Sequence, residues 1–191
     1  MHYNGGMERK ACRAAAGPLG AAILAAFLLA CASCGGKEAG RDIPFAELER
    51  GSSFPRAEEE AGGSRPSIEV AADRAGWEAL WARVHPPSLE TEAPPPPELD
   101  TASDVAVGVF QGIKPTGGYS VAVSSVRARG NAVEVAVRLT EPSPGSMVTQ
   151  AFTSPYQLVR ISRSDLGIRG QARFLLLDEA GNRLAEADTS L

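Results

Sequence analysis

The sequence predicts a mainly β fold, an antiparallel β-sandwich or partly open barrel with one packed α-helix. Three observations lead there. Valine alternates with other residues through 105–109 and again through 133–137, with Leu139 continuing the series, the period-two pattern of strands. Glycine and proline turns recur at spacings near ten residues, as in sandwiches. Only one stretch, behind Asp73, carries a clear helical pattern, with Trp77, Leu80, Trp81 and Val84 on one face.

The chain opens on an address. Arg9, Lys10 and Arg13 precede 23 residues without charge, Ala14 to Gly36, whose apolar centre runs from Ile23 to Ala30 and is followed by Cys31. A positive flank, an apolar middle and a small residue before a cut describe an export signal. Leu28-Leu29-Ala30-Cys31 also resembles the bacterial lipobox, which implies diacylation of the Cys31 thiol and cleavage in front of it. An uncleaved spanning helix is the alternative. Gly17, Pro18 and Gly20 weaken such a helix. The expected organisation is a signal peptide over 1–30, a flexible tether over 31–43, an N-terminal extension over 44–100 and a β domain over 101–191. Localisation follows: the bacterial cell envelope, lipid-anchored to the membrane and facing away from the cytoplasm.

Of 19 basic and 23 acidic residues, the signal removes three and one, leaving a net charge of −6. That balance speaks against nucleic acid and against polybasic adhesion to anionic lipid. Cys31 and Cys34 are the cysteines of the mature chain, and acylation of the first leaves no intramolecular disulfide to form. With His85 as the mature histidine, they are too few for a structural zinc site. No cofactor is expected, nor any metal site.

Along the mature chain, Pro44 to Gly51 is read as one helical turn, because Phe45 and Leu48 stand three apart with glycine at the end. Ser52 to Ser64 carries Glu58-Glu59-Glu60 and reads as a solvated loop. Ser67 to Ala71 alternates as a short strand. Asp73 then caps the tryptophan helix, which His85 ends before Pro86-Pro87, where an imidazolium suits the helix C-terminus. Pro94 to Pro97 favours polyproline II and serves as a stiff connector around the sheet.

Beyond it, strands are expected at Val105–Phe110, at Val121–Val126 with a bulge where the period breaks, and at Val133–Leu139 after the Gly130-Asn131 turn. Further strands are expected over Met147–Thr153, Gln157–Ile161 and Ala172–Leu177. Ala180-Gly181-Asn182 then turns the chain into its tail. A catalytic group would need a nucleophile beside a base, and His85 is the imidazole the mature chain offers. No motif surrounds it, so no enzyme is expected.

Gly112-Ile-Lys-Pro-Thr-Gly-Gly-Tyr119, Pro144-Gly-Ser-Met-Val-Thr-Gln150 and Thr153-Ser-Pro-Tyr156 resemble the C-terminal domain of the PrcB family, named for a lipoprotein subunit of a bacterial surface protease complex built around a subtilisin-like enzyme. The resemblance covers roughly Pro44 to Ile161. It implies a non-catalytic accessory or stabilising subunit, whose partner is an exported protease of the subtilisin-like kind or another envelope protein.

The expected partner-binding residues are Lys114, Pro115, Thr116, Gly117, Gly118 and Tyr119, with Thr153, Pro155 and Tyr156 from a second loop. If both loops meet at one end of the sandwich, two exposed tyrosines join in one contact surface. A tight strand connection explains the same residue types. Pro115 to Tyr119 is also similar to the Pro-Thr-Thr-Gly-Tyr loop of chagasin-type inhibitors, which implies an immunoglobulin-like plug for a protease cleft as the alternative function.

The lipobox assignment has a direct test. Cys31→Ala is expected to abolish acyl labelling and release the protein from the membrane fraction, and labelling that persists through Cys34 would overturn it.

Overall fold

The computed structural model describes residues 40–54, 65–87 and 93–191. The export signal, Cys31, Cys34 and Glu58–Glu60 lie outside the described residues. Elements follow one another as β1 (Arg41–Asp42), β2 (Ala46–Ser53), β3 (Ser67–Ala71), α1 (Arg74–Val84), β4 (Asp104–Phe110) and β5 (Ser120–Arg129). Then come β6 (Ala132–Thr140), β7 (Ser154–Ser162), α2 (Arg163–Leu166), β8 (Gln171–Leu177) and β9 (Arg183–Ser190). They build two sheets, ordered β1-β5-β6-β8-β9 and β2-β7-β4-β3. The fold is a β-sandwich whose sheets do not close into a barrel.

Alternation decides which side chains meet. Val105, Val107 and Val109 of β4 join Val159 and Ile161 of β7 against Val121, Val133, Val135, Val137, Phe174 and Leu176 of the five-stranded sheet, all essentially buried. Ala106 and Phe110 of β4, with Tyr156 and Leu158 of β7, face the other way and meet Trp77, Leu80, Trp81 and Val84 of α1. The result is three layers, sheet on sheet on helix, with β4 and β7 covered on both faces. That is why β4 reads as a nearly continuous apolar run.

Helix α1 starts where Asp73 accepts the Gly76 N–H at 2.7 Å and stops where the His85 N–H returns to the Trp81 carbonyl at 3.0 Å. Leu80 lies against the backbone of Gly108, where an added Cβ would fall 2.7 Å from Leu80 Cδ1 and within 3.2 Å of Phe110 and Leu158. A side chain there would displace the end of Leu80 and crowd Phe110 and Leu158.

The β5 bulge falls between Val123 and Ser125, and the Gly130-Asn131 turn joins β5 to β6, both as expected. Other expectations are corrected. Pro44 to Gly51 is no helical turn: β2 occupies it, paired with β7 through a register shift between Glu47 and Glu49. Phe45 packs into the core between the sheets and Leu48 into the core under α1, opposite faces, as an odd spacing gives in extended chain. Met147 to Thr153 forms no strand. β7 begins instead at Ser154, so Thr153-Ser154-Pro155-Tyr156 leads into a strand and does not break one. Pro155 is tolerated near the strand's first residue, where the ladder only begins.

The sandwich is also not wholly antiparallel, because β6 and β8 pair in parallel. Between them the chain crosses to the other sheet as β7 and returns through α2, so β8 runs in the direction of β6. The tail beyond Asn182 is β9, an antiparallel partner of β8.

Gly108→Val is expected to lower unfolding free energy by about 2–3 kcal/mol through overpacking. Urea titration followed by tryptophan emission measures it, and an unchanged midpoint would contradict the close approach of Leu80.

Candidate functional site

Two connections leave the same end of the sandwich: residues 111–119 between β4 and β5, and 141–153 between β6 and β7. Backbone hydrogen bonds lock them together. Lys114 and Thr153 exchange both N–H···O bonds at 2.8 and 2.9 Å, and the Gly117 N–H reaches the Thr149 carbonyl at 2.9 Å. Thr153 adds its hydroxyl to the Thr116 carbonyl at 2.9 Å. Gly118 holds φ at +85°, and an added Cβ would lie 2.9 Å from Pro142 and 3.0 Å from Val148. Both the turn and the contact between the loops require glycine there.

Lys114, Pro115, Thr116, Gly117, Gly118, Tyr119 and Thr153 therefore lie together, as a composite surface requires. Tyr119 is half-buried, with the Lys114 ammonium 5.4 Å from its ring centroid. Pro155 and Tyr156 do not join them, since both are buried in β7. Tyr156 is 4% exposed and packs in the core beneath α1. Its hydroxyl donates to Glu49 Oε1 at 2.6 Å, while Glu49 Oε2 meets His85 Nε2 at 2.9 Å. Burial, reinforced by the hydrogen bond and charge of Glu49, pushes the Tyr156 phenol above its usual range. The expected pair of exposed tyrosines is thus corrected: Tyr156 clamps β7 to β2 and presents nothing to a partner.

In its place the surface carries residues that the sequence reading passed over. Met147 is fully exposed and Phe152 is 59% exposed, both on the second loop. Phe54, 74% exposed, follows β2 at this end, just past the Ser53–Ser154 pair. Assigning 147–153 to a strand concealed the first two. The cue available was Glu141-Pro142-Ser143-Pro144-Gly145, a composition that favours a loop extending well past its glycine.

Under the loops, between the sheets, sit two fully buried glutamines. Gln157 accepts the Val123 N–H at 2.5 Å and donates to the Glu47 carboxylate. Gln111 donates to the Thr140 carbonyl at 3.3 Å, and its Oε1 is without a hydrogen-bond partner among the described residues. Parity foretold their direction, since Gln111 continues the inward series of Val105, Val107 and Val109, and Gln157 that of Val159 and Ile161.

Among the described residues, no group of three or more His, Cys, Asp or Glu side chains could hold a metal ion, and no helix is long and apolar enough to cross a membrane. Fold and site define a class: a β-sandwich that ties two loops into one apolar-studded surface at its end. Residues 105–162 match the family described as PrcB C-terminal. That segment runs from β4 to the end of β7 and contains both loops. No curated protein and no solved structure matches the chain.

Gly118→Ala should separate the loops. Amide exchange at Gly117 and Thr153 is expected to rise at least about tenfold, with β5–β6 ladder amides unchanged, from a local strain of about 1–2 kcal/mol. Unchanged exchange would show that the loops do not depend on this turn.

Proposed function

We propose that the protein is a non-catalytic, membrane-anchored lipoprotein, an accessory or stabilising subunit of an exported protease complex, and that it engages its partner through the paired loops. The observation that carries this reading is the set of bonds joining 114–117 to 149–153 inside the segment matched to the PrcB family. A surface held by backbone bonds loses little conformational entropy on binding. Met147 and Phe152 supply the apolar side chains that a contact can desolvate.

The proposed anchor agrees with this placement. Arg41 pairs with Ala128 near the β5–β6 hairpin, and β1 runs antiparallel to β5, so the described chain enters at the end opposite the loops. Acylation at Cys31 would tether that end to the membrane. The loops lie at the other end of ten-residue β5, about 30 Å from that point of entry.

The subunit reading is favoured over a chagasin-like inhibitor by what covers the first loop. Thr149 lies against Gly117, and Pro142 and Val148 against Gly118. The segment that would plug a cleft is thereby backed by its neighbour, as suits a broad contact better than an inserted wedge.

Affinity purification of the acylated protein from its native membrane is expected to recover an exported protease. The double variant Met147→Ser/Phe152→Ser should retain at least about tenfold less of it, at an unchanged melting temperature, since both side chains are solvated in the free protein. Undiminished recovery would remove the paired loops from the contact. Block of papain-like enzymes without a stable complex of active protease would favour the inhibitor.

A further inference from the structure

Helix α1 carries Trp77 and Trp81 one turn apart, and both indole N–H groups end on the same strap of chain. Trp81 Nε1 donates to the Pro94 carbonyl at 2.8 Å, and Trp77 Nε1 to the Pro97 carbonyl at 3.0 Å. The indole rings lie 5.5 Å apart and tilted, with the His85 ring 4.2 Å beyond Trp81. Two residues past Pro97, Leu99 is buried in the core between helix and sheet. The prolines contribute carbonyls more than rings, for Pro94, Pro95 and Pro97 are exposed.

The match has a geometric reason. Proline has no N–H, so a run of four makes no ladder or helix of its own and leaves its carbonyls to outside donors. Such a run favours polyproline II, with three residues per turn, which puts the carbonyls of residues three apart on one face, about 9 Å from each other. Side chains four apart on an α-helix also share a face. The helix thus presents two donors to one face of the strap, in the reverse chain order. Indole donors on proline carbonyls beside an aromatic surface are the means by which grooves recognise proline-rich peptides.

We propose that the Trp77–Trp81 face of α1 is a binding site for proline-rich peptides of the pattern Pro-x-x-Pro-x-Leu, whose resident ligand is the chain's own segment Pro94 to Leu99. The site lies on the helix and is independent of the paired loops. Held in cis at an effective concentration on the order of millimolar, the segment stays seated only if the same peptide binds in trans with a Kd well below that.

The test uses the full chain with Pro94, Pro95, Pro96 and Pro97 each changed to serine and Leu99→Ser, and a synthetic peptide of residues 92–100 as probe. Tryptophan emission and calorimetry should show saturable binding to the folded variant, with at least about tenfold weaker binding to the unaltered chain, whose site is filled. Absence of saturable binding would overturn the proposal, as would equal binding to both chains, which places the peptide elsewhere. If the variant does not fold, Trp77→Phe/Trp81→Phe in the full chain keeps aromatic rings and removes both donors. Proteolysis within residues 86–100 should then accelerate several-fold, and an unchanged rate would overturn the assignment.

Discussion

Everything in this molecule is arranged around the double cover of β4 and β7. Each strand presents one set of side chains to the five-stranded sheet and another to α1. Burial on both faces leaves Arg160 as the exposed position of these two strands, so the polar groups buried there need partners. The Tyr156 hydroxyl finds Glu49, and Gln157 finds Val123 and Glu47. The same cover sets the volume of Gly108, because Leu80 rests where its side chain would be. The two tryptophans then close the outer layer, and their indole N–H groups, satisfied by Pro94 and Pro97, bring the connector over the helix.

Strand direction turns this packing into a polarised body. β4 and β6 run toward the loop end, while β5 and β7 run away from it. Both connections between these central strands therefore emerge together, and the Lys114–Thr153 bridge follows from adjacency. β2 ends and β3 begins at the same end, since Ser53 pairs with Ser154 and Ser67 with Phe110. The opposite end holds the β5–β6 hairpin, β1 and Leu191, whose N–H and carbonyl both meet Gly170. Variation at the loop end can alter a contact without disturbing the entry of the chain.

Much of this was legible in the sequence because alternation and burial coincide in the central strands. Val105, Val107, Val109, Val133, Val135 and Val137 all face the inner core, and the tryptophan helix has its expected cap and face. What misled was local pattern where tertiary pairing prevails. Phe45 and Leu48, three apart but in the two different cores, imitate helical spacing, and Pro155 inside β7 imitates a break. Neither the parallel β6–β8 pair nor the placement of β9 has a local signature, since both depend on which sheet the chain re-enters. At the candidate site, turn chemistry revealed the first loop but not its partner. Whether Tyr156 or Phe152 faces solvent turns on where β7 begins, two residues before the tyrosine and two after the phenylalanine.

The family match clarifies which parts of the structure belong together. Residues 105–162 are β4 to β7, the two adjacent central strands of each sheet, with both loops between them. That segment alone would leave Ala106, Phe110, Tyr156 and Leu158 bare on one face, because α1 and β2 precede it in the chain. It would also leave sheet edges open where β1, β2, β3 and β8 now pair. Exposed apolar faces and free edges invite association, so the flanking elements are the cover that lets the central motif exist as a separate folded body. The buried Gln111 and Gln157 lie within the motif itself, at the end nearest the loops. There the Gln157 carbonyl caps the Val123 N–H, a bond made by a side chain from the facing sheet. A polar layer at that depth ties the positions of the two sheets to each other just below the contact surface, so the geometry of the loops follows from the core beneath them.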